Sequence, residues 1–401
     1  MLSNEVGAPS RLECDLHDRY DLISNVFRSR FKADPAFVVR APGRVDLMGS
    51  HTDYNLGHVL TMAVSRDVWI AGRARPDRRV RIYSMALNDE QYFDLGSLAP
   101  GVQNGWGNYV RGVAAALAGE RLPLSGFDAV VHSIVPIGSG LSSSAALECA
   151  VAMAFQFTSG WTVEPARLAR LCQRAEHEWA GVKCGILDQY TSCFGQADSV
   201  LVLDCQTISH RCWNINPLFD VFICDTRSKR ELAASQYASR RAQCEEGARR
   251  LGVDGLCQSN LKELIQHQAS MPEVVFRRCR FILEEDARVP AMAAALSNGD
   301  ATKIHELCMD SFHGARDLYE ICAPPMHAMM DAMMKAPGVV GARQAGAGFG
   351  GCMVAIVRRA ESRVFAESVS RGYHVATGIC PEIYAVQGAR SASVISQFTQ
   401  L

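Results

Sequence analysis

The sequence predicts a two-domain protein of mixed helix and strand. Its 401 residues are too many for one ordinary hydrophobic core and suit two domains that share a cleft. Short β-rich runs alternate with segments of helical periodicity from the start of the chain. Loops that contain proline and glycine follow several of these runs. Helix and strand are therefore expected in both halves.

In the first half, four runs are predicted to be strands and two segments helices. The segment from Ser142 to Phe157 repeats apolar residues, among them Ala146 and Ala150, at helical spacing. Thr162 is a suitable cap for a second helix that runs to about Trp179. The predicted strands are Phe37–Arg40, Val59–Ala71, Val80–Ser84 and Phe127–Val135.

The second half is predicted to begin with a crossing between domains and to be mainly helical before a final strand. The segment Asp204–Cys212 is the predicted crossing. A glycine cluster, Gly346–Gly351, then leads into the apolar run Cys352–Val357, which is typical of a tight turn feeding a buried strand. The predicted helices are Ser235–Leu251, Val289–Asn298 and Thr302–Tyr319.

Composition excludes several classes of protein. The formal net charge is -1 and 48% of the residues are hydrophobic, which disfavours nucleic acid or an anionic membrane as a partner. Met1–Asp21 has no apolar core segment, and no later apolar run is long enough to span a bilayer, so we expect a cytoplasmic protein. The fifteen cysteines form no Cys-x-x-Cys pair, which indicates neither zinc nor a disulfide framework but buried, reduced side chains.

The segment Pro136–Ala146 lies between a predicted strand and a predicted helix and is suited to holding phosphate. Glycines let the backbone approach an anion, hydroxyls add donors, and a helix N-terminus points its free N–H groups at the ligand. The alternative is an ordinary helix-capping turn, since serine is a good cap. The candidate ATP-binding residues here are Gly138, Ser139, Gly140, Leu141, Ser142, Ser143 and Ser144.

This loop matches neither of two common nucleotide-binding motifs. No Gly-Lys-Ser/Thr occurs in the chain, so a Walker A site is excluded, and Ser143 occupies the third glycine position of a dinucleotide fingerprint. The His-Arg-Asp and Asp-Phe-Gly motifs of protein kinases are also missing.

The loop Pro-x-Gly-x-Gly-Leu-Ser-Ser-Ser-Ala resembles the central motif of the GHMP small-molecule kinases, and specifically of galactokinases. Gly43–Asn55 resembles the galactokinase signature, and Gly346–Gly351 resembles the third motif. The resemblance implies an α+β fold with two domains, the first of the ribosomal-protein-S5 type at residues 1–215 and the second ferredoxin-like at residues 216–401. The last residues of the chain are expected to return to the first domain. Shorter matches fill the gaps at Trp106–Val110, Ala175–His177, Cys184–Gln189 and Tyr237–Glu246.

The resemblance implies a catalytic pair. Asp188 matches the aspartate that faces the C1 hydroxyl of the sugar as a base or orienting group. Arg44 is implied to lie beside it and to stabilise the transferring charge. Without the resemblance, Asp188 would be interpreted as a loop-capping residue and Arg44 as a surface arginine.

The resemblance also implies the ATP and metal residues. Glu176 and Ser144 match the Mg²⁺ ligands of the family, and Mg²⁺ prefers few protein oxygens, with phosphate and water completing its shell. Trp106 matches an aromatic residue that flanks the adenine. Alone, Glu176 would be a solvated helix glutamate and Trp106 a core residue.

For the sugar, the resemblance implies contacts from His51, Asp53, the backbone at Gly185, and Tyr237. A buried site with fixed donors and acceptors rejects a sugar whose hydroxyls do not match them. Alone, His51 would be a satisfied loop histidine and Tyr237 a packed helix residue.

Ser50 is the departure from the family pattern that bears on the substrate, because galactokinases carry glutamate there, near the C6 hydroxyl. A carboxylate would repel a C6 carboxylate, whereas serine can donate to either group. D-Galactose is therefore the expected substrate, with galacturonate and L-arabinose as alternatives. Asp46, where many relatives have asparagine, and Gln344–Ala345 are further departures.

The predicted reaction is direct transfer of the γ-phosphate of MgATP to the anomeric hydroxyl, giving sugar 1-phosphate and ADP. A non-catalytic sugar sensor is the rival from a different class, although Arg44, Asp188 and the whole serine-rich loop are present. Mevalonate and homoserine kinases are disfavoured by His51–Asn55, which their substrates would leave unused. The expected partners are ATP and a monosaccharide, and the expected state is a monomer or a weak homodimer.

Overall fold

The chain folds around two β-sheets. The structure is a computed structural model that describes residues 16–101, 105–138, 140–228 and 233–395. The helices and strands of the first half are α1 Leu16–Phe31, β1 Phe37–Met48, β2 His58–Ala74, β3 Arg79–Ser84, β4 Asp89–Asp94, α2 Gly107–Gly119, β5 Phe127–Ser133, α3 Ser143–Ser159, α4 Pro165–Ala175, a π-helix Glu176–Ala180, α5 Leu187–Phe194, β6 Ser199–Asp204 and β7 Ser209–Asn214.

The second half is mainly helical between its first and second strands. Its elements are β8 Phe219–Asp225, α6 Ala233–Leu251, α7 Leu261–Gln266, α8 Glu273–Asn298, α9 Ala301–Asp317, α10 Pro324–Met334, β9 Val339–Gln344, β10 Cys352–Arg358, α11 Ser362–Thr377, β11 Glu382–Val386 and β12 Ser393–Val394. Short 3₁₀ turns cover Asp53–Asn55, Leu256–Gln258, Gln268–Ser270 and Arg359–Glu361.

The first sheet is organised around the long strand β2. Within the described residues its order is β12-β1-β2-β5-β3-β4, and β6 and β7 extend it from the first part of β2. All pairs are antiparallel except β3 with β5. The strand β1 is buried along its whole length, and its register against β2 shifts between Pro42 and Arg44 and again between Asp46 and Met48. Both irregularities lie at the start of the signature segment Gly43–Asn55.

The second sheet has the order β11-β8-β10-β9 and is antiparallel throughout. Numbered along the chain, this is the 4-1-3-2 order of a ferredoxin-like fold. The helices α10 and α11 pack on one face, where Met326, Met329, Phe365 and Tyr373 form an apolar cluster with the strands. The predicted α+β fold with a ferredoxin-like second half is confirmed.

One apolar core connects the two halves. It includes residues of β1, β2, β5 and α3 from the first half, and residues of β8, α8, α9 and β10 from the second. Residues 215–218 connect the two sheets, and the last described residues return to the first sheet, where Val39 and Arg40 pair with Val394 and Ser393. A domain boundary near residue 215 stays a prediction. Among the helices of the described ranges, none combines the length and apolarity needed to cross a bilayer.

Most predicted elements are confirmed, and two details are wrong. Thr162 does not cap the second helix, because α4 begins at Pro165, whose missing N–H suits a first turn, and Glu164 accepts from the N–H groups of Ala166 and Arg167 (3.0 and 2.9 Å). The segment 204–212 is not a crossing. It is the β6–β7 hairpin, because the Asp204 carboxylate accepts from the backbone of the following turn.

The remaining helices fit their predictions with different limits. The helix predicted from Val289 is the last part of α8, which has 26 residues and contains Pro290. The described cysteines are all free thiols and mostly buried, as expected.

Candidate active site

Arg44, Asp188 and Ser142 meet where β1, the serine-rich loop and α5 converge. One oxygen of the Asp188 carboxylate accepts from Arg44 Nε (2.7 Å) and Nη2 (2.6 Å). The other oxygen accepts from the Ser142 hydroxyl at 2.5 Å. Arg44 Nη1 also donates to the Gly140 carbonyl at 2.5 Å. One guanidinium thus contacts Asp188 and Gly140, which follow Arg44 in the sequence by 144 and 96 residues.

Three residues of the serine-rich loop have left-handed backbone conformations. Gly138 (φ 75°) and Gly140 (φ 85°) take left-handed conformations that favour glycine, and Ser142 (φ 57°) takes one that a serine rarely adopts. Ser142 precedes α3, but its side chain makes no capping hydrogen bond and turns to Asp188 instead. This geometry disfavours the capping-turn interpretation. Leu141 is buried and anchors the loop, and Ser139 lies outside the described residues.

Glycine at position 43 lets the signature strand press against this loop. A Cβ atom there would lie 2.6 Å from the Leu141 carbonyl oxygen, which is closer than side chains allow. The Arg44 N–H donates to the same carbonyl at 3.0 Å. The strand therefore positions the Arg44 side chain and supports the loop through one contact.

A second cluster of polar side chains lies beside the first helical turn after the loop. Glu176 is 4% exposed and begins the π-helix, and the Ser144 hydroxyl is near enough to oppose the rise of the Glu176 pKa. The Gln189 amide donates to both Glu176 (2.6 Å) and Glu148 (3.0 Å), and Cys184 donates to Glu176 at 3.2 Å. π-Helical turns are rare and often occur at functional sites.

The two glutamates of this cluster are short of positive charge. Burial, and then the charge of Asp188, raises the pKa of Glu176, while burial and the charge of Glu176 raise the pKa of Glu148 well above its ordinary range. The oxygens Glu148 Oε1 and Gln189 Oε1 are buried and have no hydrogen-bond partner. A hydroxyl, a carboxylate and unpaired oxygens form a donor set that suits Mg²⁺. The residues present therefore fit this ion.

Trp106 lies at the start of α2. Its indole N–H donates to Asp89 at 2.7 Å, and the ring is only partly buried against the core. Tyr109, one turn later, is close to Glu176. Burial and then the charges of Glu176 and Glu148 raise the pKa of Tyr109 to about 12.

Asp53 and Gly185 are in close contact with each other. A Cβ atom at Gly185 would overlap the Asp53 carboxylate, at 1.7 Å from Oδ2, so only glycine fits. Burial raises the pKa of Asp53 to about 6, and the charges of Asp188 and Asp46 add to the effect. Tyr237 is half-buried, and its phenol is close enough to feel the charge of Asp53. The charge of Asp188 acts on both Asp53 and Tyr237.

His51 has both ring nitrogens engaged. Nε2 lies 2.9 Å from the Ala347 carbonyl, which only accepts, so Nε2 carries the proton and Nδ1 accepts from the Tyr54 hydroxyl at 2.7 Å. Tyr54 is bonded in turn to Tyr319 (2.9 Å). Burial lowers the pKa of His51 to about 4, so the ring is neutral. His51 therefore links the signature to the third glycine segment, and its ring packs at a tilt against that of Tyr237, with the centroids 5.2 Å apart.

Ser50 is 1% exposed and lies inside a buried polar network. Its hydroxyl accepts from Arg343 Nη2 (2.8 Å) and lies within donating distance of Asp46 Oδ2 (3.2 Å) and the Gly346 carbonyl (3.3 Å). The side chain expected to face the sugar thus makes contacts within the protein, and its contact with a sugar stays a prediction.

Glu285 is the centre of this network. One of its oxygens accepts from Arg343 (2.7 Å), from the Ser311 hydroxyl (3.0 Å) and from the backbone N–H groups of Gly49 (3.1 Å) and Ser50 (3.3 Å). Burial alone would raise the pKa of Glu285, but Arg343 and Arg288 outweigh it and lower the pKa. The helix α8 therefore holds the signature loop through a charged contact.

The third glycine segment lies opposite the serine-rich loop. A Cβ atom at Gly346 would be 3.9 Å from the Gly140 carbonyl, and Gly348 (φ 78°) packs closely on the Ile321 backbone. The third segment thus approaches the serine-rich loop at Gly140 and the signature at His51, which bonds to the Ala347 carbonyl. The structure brings predicted residues of all three segments together.

Family models match three parts of the chain. The galactokinase galactose-binding signature matches residues 25–74, the GHMP kinase N-terminal domain residues 108–196, and the GHMP kinase C-terminal model residues 292–375. Galactokinase from Roseiflexus sp. (strain RS-1) is 38% identical over 90% of this chain and 94% of its own length. Human galactokinase is 37% identical over 92% of this chain and 95% of its own. The chain is a member of the galactokinase family.

Solved structures agree with this membership. The galactokinase of Lactococcus lactis, solved in complex with galactose, superposes with a TM-score of 0.88 at 29% identity, covering 92% of this chain and 98% of that one. A mevalonate kinase superposes with a TM-score of 0.61 at 18% identity, covering 88% of this chain and 99% of its own, which shows a common fold alone.

Sequence reasoning missed four polar residues of this galactokinase-family site, namely Glu148, Gln189, Glu285 and Arg343. Each is at most 1% exposed in its side chain or residue, although charged and amide groups are rarely buried. The available signal was a polar residue within an apolar stretch. Glu148 in α3 and Gln189 after Asp188 both show it.

Proposed function

We propose that this chain phosphorylates the anomeric hydroxyl of D-galactose with ATP and releases galactose 1-phosphate and ADP. The observation that carries the proposal is the Asp188 carboxylate, oriented by Arg44 and Ser142 at the edge of a glycine- and serine-rich loop. Phosphoryl transfer needs the acceptor hydroxyl, the phosphate and compensating charge to be held in line. These three residues meet the requirement.

Asp188 is the group that acts on the sugar. One of its oxygens would accept the hydrogen of the C1 hydroxyl, either as a base or as an orienting acceptor. The carboxylate is 19% exposed in its side chain, so a ligand can reach it. Arg44 fixes its position and offers positive charge where the transferring phosphoryl group becomes more negative. The transfer is direct, without a phosphoenzyme.

The serine-rich loop would hold the phosphates of ATP. Backbone N–H groups from Gly138 to Ser144 and the N-terminus of α3 provide donors for the anionic oxygens. Trp106, which is partly exposed, would flank the adenine.

Glu176 and Ser144 would hold Mg²⁺, and Gln189 keeps the Glu176 carboxylate in place. When bound, this ion would neutralise phosphate charge and orient the terminal phosphate. The raised pKa of Glu176 is consistent with a carboxylate whose cation arrives with the nucleotide.

Asp53, Gly185 and Tyr237 would bind the ring hydroxyls, and His51 would hold the loop that presents them. The charges of Asp188 and Asp46 both act on Asp53, so Asp53 is near the reacting group and would accept from hydroxyls next to the reacting one. The relatives are galactokinases, which does not favour galacturonate or L-arabinose as the principal substrate. A sensor without activity is not favoured either.

The cellular location, the oligomeric state and the partners of the enzyme stay predictions. We infer that it acts in the cytoplasm as a monomer or weak homodimer, with ATP and galactose as its partners and without nucleic acid or membrane. The near-neutral net charge of -1 supports this inference.

A panel of sugars in a coupled ADP-release assay tests the proposal. We expect MgATP turnover with D-galactose and at least about 10²-fold lower kcat/KM with D-glucose, since a site built around one set of hydroxyls rejects a mismatch. Arg44→Met, which keeps much of the volume and removes the charge, serves as an inactive control. No turnover with any sugar, from protein that binds ATP, would overturn the proposal.

A further inference from the structure

The loop at residues 181–186 joins the two proposed substrate sites. It connects the π-helix that begins at Glu176 with α5, which carries Asp188. The Cys184 thiol in this loop donates to the Glu176 carboxylate at 3.2 Å. The next residue, Gly185, lies directly against the Asp53 carboxylate. The position of this loop therefore bears on the backbone that is proposed to contact the sugar.

The first half of the chain holds the loop at one carbonyl. The Cys184 carbonyl accepts from His177 Nε2 (2.7 Å) and from the Gln173 amide (3.3 Å). A carbonyl only accepts, so His177 Nε2 carries the proton. Both donors precede the loop by a few residues, in α4 and the π-helix. These bonds fix the loop on its own half of the molecule.

The second half holds the loop at the neighbouring carbonyl. The Lys183 carbonyl accepts from Arg241 Nη1, on α6, at 3.1 Å. The guanidinium carbon of Arg241 also lies 5.5 Å from the centre of the Tyr54 ring, within the range of a cation–π contact. Arg241 thus reaches from the second half to two elements of the first, the loop 181–186 and the signature segment Gly43–Asn55.

Arg241 lies on the same face of α6 as Tyr237, because the two residues are four positions apart. The charge of Arg241 acts on the Tyr237 phenol. The Tyr237 ring packs against the rings of His51 and Tyr54, with centroids 5.2 and 5.7 Å apart. A hydrogen bond depends more strongly on direction than such packing does. The bond from Arg241 to Lys183 therefore sets the spacing between the face that carries Tyr237 and the loop that carries Gly185.

The neighbouring residue Arg240 has partners in its own half. Its Nε and Nη2 donate to the Tyr319 and Glu320 carbonyls at 2.6 and 3.0 Å, after the end of α9. Arg240 thus attaches α6 to the second half, whereas Arg241 attaches it to the first. The side chain of Arg241 is 34% exposed, against 13% for Arg240, so Arg241 can be replaced with less loss of packing.

We propose that Arg241 is a positioning residue for sugar binding, which sets α6 against the loop 181–186 so that Tyr237 and Gly185 are held at the spacing that one set of ring hydroxyls requires. The inference rests on the proposed function and adds the residue that aligns two of its sugar-binding elements. Arg241 acts through the Lys183 carbonyl and the Tyr54 ring. Its loss should therefore affect galactose binding more than phosphoryl transfer.

Steady-state kinetics of Arg241→Met test the proposal, because methionine keeps an apolar stem and cannot donate to the Lys183 carbonyl. We expect the KM for D-galactose to rise about tenfold, from the loss of one partly exposed, charge-assisted hydrogen bond. Both kcat and the KM for MgATP should stay within about threefold of the wild type. Titration calorimetry of galactose into enzyme loaded with Mg²⁺ and a non-hydrolysable ATP analogue should show the same loss of affinity.

Three further variants separate the contacts of Arg241. Arg241→Lys keeps a cation that can donate to the same carbonyl, so its KM for galactose should return to within about threefold of the wild type. Glu245→Gln removes the exposed carboxylate that accepts from Arg241 Nε at 2.9 Å and should leave the KM unchanged. Arg249→Met, on the same helix and 69% exposed in its side chain, is the matched control with normal kinetics.

Hydrogen exchange gives a readout that does not depend on activity. The amides of residues 181–186 should exchange severalfold faster in unliganded Arg241→Met than in the wild type, at an unchanged melting temperature. If Arg241→Met does not fold, Arg241→Gln, which is shorter and uncharged, takes its place with the same expected rise in KM.

Two results would overturn the proposal. A folded variant with wild-type affinity and KM for galactose would show that the contact with Lys183 does not position the sugar site. An equal rise in the KM values of galactose and MgATP, with a lower kcat and melting temperature, would show a general structural role. A wild type that does not turn over galactose would instead contradict the proposed function, so the two failures are distinguishable.

Discussion

Asp67 and Glu148 are both buried carboxylates of the first half, and their surroundings differ. Asp67, on β2, accepts from Arg19 (2.5 Å), Arg40 (2.7 Å) and the Trp69 indole (3.1 Å). Burial alone would raise the pKa of Asp67, but the two arginines outweigh it and lower the pKa. Glu148, on α3, has the Gln189 amide as a donor and an oxygen with no partner, and burial raises its pKa.

The difference separates a structural group from a functional one. The Asp67 cluster is complete within the protein and fixes α1 on the first sheet through Arg19. The cluster of Glu148 and Glu176 is short of positive charge. A buried carboxylate that the protein itself does not satisfy indicates where a ligand binds.

The largest expected effect comes from neutralising the incomplete cluster. Glu176→Gln should lower kcat/KM by about 10²- to 10³-fold, because it removes a carboxylate that holds the metal of MgATP. Isothermal titration should show that the variant binds MgATP more weakly than the wild type does. Glu178→Gln, two residues on and exposed, is the matched control with normal kinetics. Equal activity of Glu176→Gln and wild type would remove Glu176 from the site.

Breaking the complete cluster should affect stability and leave chemistry intact. Asp67→Asn should lower the free energy of unfolding by about 3–5 kcal/mol, since Arg19 and Arg40 are left buried without their counter-charge. Denaturant titration measures this, and kcat of the folded fraction should remain within about twofold. Asp128→Asn, whose partner Arg75 is partly exposed, should cost no more than about 1 kcal/mol. A strong loss of kcat in Asp67→Asn would contradict the separation.

The signature residues His51 and Asp53 should give opposite pH dependences of stability. His51 is neutral in the folded state, with its pKa lowered to about 4, so its contribution is lost as pH falls from 6.5 towards 4, by up to about 3 kcal/mol. The pKa of Asp53 is raised to about 6, so its ionisation costs stability as pH rises from 3.8 through 6.

Unfolding free energies between pH 4.5 and 7 test this prediction. His51→Gln should flatten the loss of stability on acidification, whereas Asp53→Asn should steepen it. The same slope in both variants and the wild type would show that neither residue titrates with a shifted pKa.

The smallest expected effect is a gain in stability. Glu148→Gln should stabilise the unliganded chain by about 1 kcal/mol at pH 8, because the charged form of Glu148 is disfavoured by burial. The gain should shrink as pH falls, since wild-type Glu148 then becomes neutral. Thermal melting at pH 8 and pH 5 measures it. A loss of stability at both pH values would show that Glu148, like Asp67, is a structural carboxylate whose charge is satisfied within the protein.

The sequence was sufficient for features set by local residues. Strands such as β2 and helices such as α6 follow from short-range periodicity, and the serine-rich loop follows from its glycines and hydroxyls. Arg44, Asp188 and Glu176 could be proposed because motifs of fixed spacing contain them. The second-half prediction of a ferredoxin-like sheet came from the resemblance rather than from periodicity.

Contacts between distant segments could not be predicted. Glu285 and Arg343 reach Ser50 from 235 and 293 residues away, and no local pattern specifies such a pairing. The contact of Asp46 with Ser50 is local, but the buried network that contains it is completed by the distant Arg343. The cap at Thr162 failed because Glu164 and Pro165 compete for the same helix start. Each miss depends on a tertiary contact or a competing local signal.

The central claim is that this cleft transfers phosphate to the C1 hydroxyl of galactose through Asp188. Phosphorus NMR of galactose and MgATP incubated with the wild type and with Asp188→Asn tests it directly. We expect galactose 1-phosphate, identified by coupling of its phosphorus to the anomeric proton, from the wild type. The variant should bind ATP but form product at least about 10³-fold more slowly. Phosphate on another carbon, or full activity of Asp188→Asn, would contradict the claim.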